Sequence, residues 1–473
     1  MSTPQFSRRG ALTGALSGAL SGAAAGAVRM AGGVGLGAAA AAILAASTRR
    51  SLHANVPLYS EAVAFTAGTG EIARELWHGA GAEPVAALMP GTRVLVGAPG
   101  AESLAARTRA FVAGASQADP GAGLLAELEE SALLDLHSLT WALPSPVAAW
   151  TPYWRYTWPR DTAHVIDALA SRRQAEWALE LLGQLAALQR PDGTFEARYI
   201  PGTTRAPDGR PPQFDGVGWF LWAAARVLAP LLPAPLSPAL SRALSRAALA
   251  LMEATAGPSR LPAPSPDYWE RPERRLTLGT AAMTLAGLHA AARLAEVGAL
   301  EVPATPALLA RARDVEAAIA RKFGRRGFQR YAHGGGVDAG LLMLLPPYRT
   351  FSPGDSPLDD ALMRGVGSLT ARVDQAFLRM ARPAGGVAPA ESWKRDGITW
   401  TPQTAMFAQA YAHLEQPARS RELLSWLARH RTSAGALSEK VLADGSPAAV
   451  APLSWTAALV LATLTALDEA DGR

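Results

Sequence analysis

The sequence predicts an all-α protein built from paired helical hairpins. Three observations predict it. Apolar residues recur at i, i+3, i+4 spacing in segment after segment from Leu124 to the C-terminus. Hydrophobic residues make up 49% of the chain, much of it alanine, the strongest helix former. Strand signals between the periodic segments are few, so the helices must bury their faces on one another. At 473 residues the chain has room for two domains, or for one large domain with additions.

Residues 1–47 read as a segment apart from the fold. Phe6-Ser-Arg8-Arg9-Gly-Ala-Leu12 precedes a long Ala/Gly/Leu/Ser tract without acids. A basic start followed by a mildly apolar run is an export-signal pattern, and paired arginines after a serine resemble the twin-arginine type. The expected location is therefore outside the cytoplasm, secreted or at the cell envelope, with a cytoplasmic location as the alternative. Met30–Ala46 would otherwise stay as a membrane anchor, although it is short and Gly-rich for a spanning helix.

Residues 48–121 form a small lead-in. Arg93–Val96 reads as a short strand between turns, and Glu102–Gly114 as a helix. Helical periodicity then covers Leu124–Trp141, Thr162–Leu169, Gln174–Leu188, Val217–Leu228, Pro238–Glu253 and Leu276–Leu294. It continues through Pro306–Lys322, Leu358–Met380, Pro402–His413, Arg419–Arg429 and Leu453–Leu467. Four connections are long for helix links: Arg190–Asp215, Gly257–Arg275, Phe323–Asp355 and Arg431–Pro452. Long loops on a helical scaffold are where function gathers.

Composition removes several function classes. Cysteine is absent, which excludes disulfides, thiolate metal sites and a cysteine nucleophile. The net charge is +5, but the basic residues are scattered among acids and nearly all are arginine. No basic run with interleaved aromatics marks a nucleic-acid face. The eight histidines show no metal spacing, and no motif calls for a cofactor.

Trp150-Thr-Pro-Tyr-Trp-Arg-Tyr-Thr-Trp-Pro-Arg160-Asp161 is the most telling stretch. Aromatic faces take the apolar C–H side of a sugar ring, and a neighbouring Arg-Asp pair takes its hydroxyls. His164, just beyond, reads as a helix-face residue. Pro258, Pro262, Pro264 and Pro266 stiffen the loop that presents Trp269 and Glu270. A tryptophan beside a carboxyl can partly desolvate it, which suits it to give up a proton. Gly435-Ala-Leu-Ser-Glu439-Lys440 offers a second loop carboxylate, with Lys440 beside it to favour the ionised form. Two carboxylates are what glycoside hydrolysis requires. So far apart in sequence, they meet only if the hairpins close into a ring.

Taken together, these blocks resemble glycoside hydrolase family 15, the glucoamylase-like enzymes. Tyr156-Thr-Trp158-Pro-Arg160-Asp161 is similar to the block that holds the terminal glucose. Leu261-Pro-Ala-Pro-Ser-Pro-Asp267-Tyr-Trp269-Glu270 is similar to the general-acid block. Gly336-Val-Asp-Ala-Gly-Leu-Leu-Met-Leu-Leu-Pro-Pro347 matches a structural block of bacterial members. Leu437-Ser-Glu439-Lys440, with Ala451-Pro-Leu-Ser-Trp455 downstream, is similar to the general-base block. The resemblance implies an (α/α)6 barrel over residues 122–473 and an inverting, exo-acting release of glucose from α-glucans or α-gluco-oligosaccharides, with trehalase as a variant. It implies Glu270 as acid, Glu439 as base, and a pocket lined by Trp158, Arg160, Asp161, Trp269, Tyr156 and Trp455. It implies no cofactor and no metal. Three departures stand out. Arg271 and Gly216 occupy places where acids are common in the family, and the lead-in is too short for the β-sandwich that precedes many bacterial barrels. An inactive sugar-binding protein on the same scaffold is the alternative reading.

Overall fold

The computed structural model describes residues 55–67, 72–79, 87–118, 123–231, 236–350 and 354–472; the expected export segment at residues 1–47 lies outside them. The described chain opens with a β-hairpin, β1 (Ala62–Ala67) and β2 (Ile72–Trp77), paired antiparallel, followed by α1 (Ala101–Ala115). Outer and inner helices then alternate. Outer α2 (Leu124–Thr140) leads to inner α3 (Pro159–Ser171), and outer α4 (Ala175–Ala187) to inner α5 (Asp215–Leu231). Outer α6 (Pro238–Ala254), inner α7 (Leu278–Glu296) and outer α8 (Thr305–Phe323) follow. A small hairpin, β3 (Gln329–Tyr331) and β4 (Gly334–Val337), then leads into the 3-10 segment Ala339–Leu344. Outer α9 (Pro357–Met363) and α10 (Leu369–Met380) share one place. The two-residue strand β5 (Thr399–Trp400) enters inner α11 (Thr401–His413), and outer α12 (Pro417–Arg429) follows. Strands β6 (Lys440–Val441) and β7 (Pro447–Ala448) precede inner α13 (Ser454–Asp471).

Burial decides which helices stand inside. In α3 every residue from Pro159 to Leu169 is buried, and in α11 every residue from Thr401 to Ala412. A helix buried all round needs neighbours on every side. The neighbours run α3, α5, α7, the Ala339–Leu344 segment, α11, α13 and back to α3. The ring is closed, with six inner places backed by six outer ones, and this is the expected (α/α)6 barrel. One inner place departs from α-helix. Asp338 caps the 3-10 segment through the amide of Gly340 at 2.7 Å, and a Cβ on Gly340 would lie 2.8 Å from the Gly279 amide nitrogen. The segment therefore passes against α7 with no room for a side chain.

The α5–α7 crossing is equally tight. A Cβ added to Gly218 would stand 2.1 Å from the Met283 carbonyl oxygen, and one added to Gly287 would stand 2.9 Å from Gly218 Cα. Backbone cannot yield as a flexible side chain does. Gly218→Ala is expected to cost at least about 1–3 kcal/mol, the range for overpacking a core, read as a lower urea midpoint.

Two expected elements are corrected. The single helix Leu358–Met380 is two, α9 and α10, because Gly365 and Gly367 between them both take left-handed backbone (φ 77 and 84). Arg93–Val96 makes isolated bridges, Val94 to Phe65 and Leu95 to Leu88, rather than a strand of its own. The β1–β2 hairpin was not foreseen. The lead-in is stitched to the C-terminal loop: the Tyr59 amide donates to the Ala449 carbonyl at 2.8 Å, and the Ala449 amide to Pro57 at 3.0 Å. No helix among the described residues is long and apolar enough to cross a membrane.

His137 on α2 is stacked on Phe111 and Trp141 and edge-on to Phe65. Burial, helped by the charge of Arg74, pushes its pKa down to about 3. The unfolded chain therefore takes up a proton below pH 6.5 that the folded chain refuses. Stability present above pH 6.5 is lost as the pH falls toward 3. Asp135, two residues away, is pushed up to about 6 by burial and acts with the opposite sign. His137→Phe removes only the histidine contribution. At pH 5 the variant is expected to gain about 2 kcal/mol relative to its own difference from wild type at pH 7.5, checked by urea unfolding at both pH values.

Candidate active site

The site is assembled at the N-terminal ends of inner helices. Trp158 is the N-cap residue of α3, and Pro159 at the first helical position is preset for the turn. Arg160 and Asp161 follow in the first turn, with Asp161 favourably placed against the helix dipole. They form an ion pair at 2.8 Å, with side chains only 8% and 4% exposed. Burial raises the Asp161 carboxyl above its usual range, although Arg160 works against it. The Arg160 guanidinium also lies 4.2 Å from the Trp455 ring. Trp400 caps α11 as Trp158 caps α3, and Trp455 is the second residue of α13.

Glu270 sits on the proline-stiffened loop between α6 and α7. Asp267 shapes the turn: its carboxylate accepts from the Trp269 amide at 3.0 Å, and its carbonyl from the Glu270 amide at 2.7 Å. Glu270 itself has φ 54, a left-handed backbone that a non-glycine residue holds only under constraint. The constraint comes from Arg330, which is fully buried. It bonds Asp267 at 2.9 Å, Glu273 at 2.7 Å and Asp338 at 3.0 Å, and lies 3.7 Å from the Trp269 ring. The carboxylate of Glu270 pairs with Arg210 and stands 3.9 Å from Arg160.

Glu439 immediately precedes β6. Its amide donates to the Val450 carbonyl at 2.8 Å, and its carbonyl accepts from the Thr401 amide at 3.0 Å. Asp135 accepts from the Leu437 amide at 2.8 Å and pairs with Arg93 at 3.1 Å, so the lead-in supports this loop from behind. Lys440 pairs with Glu439 at 3.1 Å and covers the Trp400 ring at 4.3 Å.

These loops meet around one pocket of about 470 Å³. Trp158, Arg160, Asp161, Trp269, Glu270, Glu439 and Trp455 all line it. Tyr156 does not; it stands behind the wall, with Arg198 over its ring at 4.6 Å and Trp158 edge-on at 6.1 Å. The aromatic stretch therefore divides. Tyr153 and Trp154 reach the pocket, while Trp150 turns toward the lead-in and donates from its indole to the Arg74 carbonyl at 3.2 Å. His164 lies deeper among Trp219, Trp222 and Trp455, and burial pushes its pKa down to about 4. It is a neutral residue of the inner helix, in keeping with the helix-face reading.

Sequence reasoning missed Trp393, Trp400, Gln403, Arg198 and Arg210, all of which line the pocket. Trp269, Trp393 and Trp400 form a continuous edge-to-face wall, with centroid spacings of 4.5 and 5.5 Å. A signal for Trp400 was present: Trp-Thr-Pro at a helix start repeats the Trp-Pro of residues 158–159. Gly216 has a packing reason. A Cβ there would meet Phe195 Cβ at 3.2 Å, which leaves little space for an acid. Arg271 is exposed and lines an adjoining hollow with Glu270 rather than this pocket.

Several polar atoms of the wall are buried without a hydrogen-bond partner. They are the indole nitrogens of Trp158, Trp269, Trp400 and Trp455, two guanidinium nitrogens of Arg160, and Gln403 Oε1. Such atoms are costly unless a polar ligand meets them. Among the described residues no cluster of His, Asp or Glu side chains gathers to hold a metal ion.

No protein-family model and no curated protein matches the chain. Solved structures do. A glycosidase variant in complex with glucose superposes with TM-score 0.56 at 20% identity, over 73% of this chain and 98% of that one. A glucoamylase from Saccharomycopsis fibuligera gives 0.54 at 14%, over 74% and 96%. A bacterial glucoamylase complexed with acarbose gives 0.53 at 16%, over 73% of this chain and 55% of that one. The fold of this protein is glucoamylase-like.

Proposed function

We propose that this protein is an inverting, exo-acting glycoside hydrolase that releases glucose from the non-reducing end of an α-glucan or α-gluco-oligosaccharide. The observation that carries the reading is the joint presence of Glu270, Glu439 and the unpartnered indole and guanidinium donors on one pocket. The cavity has the size of a small-molecule site, with aromatic walls for a sugar's C–H face and buried donors for its hydroxyls. In the reaction the bond between the anomeric carbon and the leaving oxygen breaks as Glu270 gives that oxygen a proton. A water oxygen bonds to the anomeric carbon from the other face while Glu439 takes the water's proton. One water is consumed, and the negative charge passes from one carboxyl to the other.

The test is glucose release from maltose, isomaltose, trehalose and starch, with the product anomer followed by NMR. The expected first product is β-glucose; α-glucose rejects inversion. The proposed acid, Glu270, is ion-paired to Arg210, and this favours a second reading as a non-hydrolysing sugar-binding protein. Binding without turnover of any of the four substrates selects it. We further propose that residues 1–47 direct export or anchor the protein. N-terminal sequencing of protein from the expressing cell's exterior or envelope fraction, as against its cytoplasm, decides this.

A further inference from the structure

Exposure orders the site from floor to mouth. Arg160 and Asp161 are 8% and 4% exposed, Glu270 is 22% and Arg210 is 38%. A sugar held on Arg160 and Asp161 therefore directs its leaving group outward, past Glu270 toward Arg210. At that point a second hollow of about 390 Å³ opens, sharing Arg210 and Glu270 with the pocket and adding Arg271. Its charges are unevenly matched. Asp208 is taken by Arg198 at 2.6 Å as well as by Arg210 at 3.3 Å. The Arg271 guanidinium is exposed, with no ion pair or hydrogen bond among the described residues.

The pairing of Arg210 with Glu270 conflicts with the proposed chemistry. To serve as the acid, Glu270 must carry a proton, and a protonated carboxyl is no ion-pair partner for a guanidinium. The reactive state thus leaves Arg210 sharing one carboxylate with Arg198, beside an Arg271 that has none. An oxyanion entering on the leaving group would take Glu270's place on Arg210 and supply a partner for Arg271. Two guanidinium forks suit a carboxylate or a phosphate geometrically.

We infer that the leaving-group side of this pocket accepts an anionic group, a carboxylate or phosphate-type oxyanion carried by the aglycone or the second sugar, and that Arg210 and Arg271 select it. The inference rests on the hydrolase reading above and adds the substrate class.

The experiment compares kcat/KM for three matched aryl α-glucosides: 4-carboxyphenyl, 4-phosphonophenyl and the neutral 4-carbamoylphenyl. The carboxamide resembles the carboxylate in shape and lacks its charge. At least one anionic glucoside is expected to be favoured about tenfold over the carboxamide at low salt, and the one favoured more identifies the oxyanion. The ratio is expected to fall toward one in Arg271→Gln and to invert in Arg271→Glu. Because the ratio is taken within each variant, a general loss of activity does not affect it. Equal turnover of all three by the wild type overturns the inference and leaves the hydrolase reading standing. So does a preference that survives the Arg210→Gln, Arg271→Gln double substitution. Turnover of none of them, nor of the neutral disaccharides, overturns both.

Discussion

Glu270→Gln and Glu439→Gln are each expected to lower glucose release by about 10²–10⁴-fold while leaving the protein folded and able to bind sugar. The substitution keeps the size of each side chain and removes the proton that one must give and the other must take. Neither carboxylate carries the fold. Glu270 is at the mouth of the pocket and is held through its backbone by Asp267. Glu439 is held through its amide and carbonyl by Val450 and Thr401. The two variants differ in what they release. Glu270→Gln leaves Arg210 with Asp208 alone, and Glu439→Gln takes away the ion-pair partner of Lys440. Loss of turnover with retained binding, measured by calorimetry with glucose, is the expected pair of results. Turnover within a factor of a few of wild type in either variant removes that residue from the mechanism.

Arg330→Met is expected to destabilise the protein by about 3–5 kcal/mol, the cost of stripping one partner from a buried ion-pair group. Arg330 is 1% exposed and faces three carboxylates, two of them on fully buried aspartates. Without it, Asp267 and Asp338 remain in the interior with no cation among the bonds that hold them. Burial already raises the Asp338 carboxyl, and the charge of Arg330 is what works against that rise. The effect reaches the site because Asp267 forms the turn that presents Trp269 and Glu270, and Arg330 also packs on the Trp269 ring. Arg330→Lys is expected to fall between the two. It restores the charge, but a single ammonium cannot fork between Asp267, Glu273 and Asp338. Urea unfolding checks the order wild type, Lys, Met. An unchanged midpoint for Arg330→Met means the network does not hold the loop.

Much of the fold was legible in the sequence because helix periodicity is local. Outer helices such as α4, α6, α8 and α12 carry one apolar stripe, and inner α5, α7 and α13 carry long runs of small and apolar residues. The failures have identifiable causes. The α9–α10 break rests on two glycines whose left-handed backbone no periodicity reveals. The Ala339–Leu344 segment is as apolar as an inner helix, yet it is held in 3-10 form by the Asp338 cap and the close approach to α7. The β1–β2 hairpin is short, and the residues just before it, Pro57 and Tyr59, are tied to Ala449, nearly four hundred residues away.

The sequence by itself determined the helical architecture, the aromatic Arg160–Asp161 start of α3, and two loop glutamates worth pairing. Those features are carried by residues adjacent in the chain, where propensity and motif spacing act. Only the tertiary structure decided that Glu270 and Glu439 line one pocket, because their meeting depends on closure of the ring between α3 and α13. Only it separated Tyr153, Trp154 and Trp158 from Trp150 and Tyr156, since a ring's role depends on which side of the wall it faces. And only it brought Arg210 onto Glu270. Charge pairing across sixty residues follows from distance in space, and distance in space is set by packing.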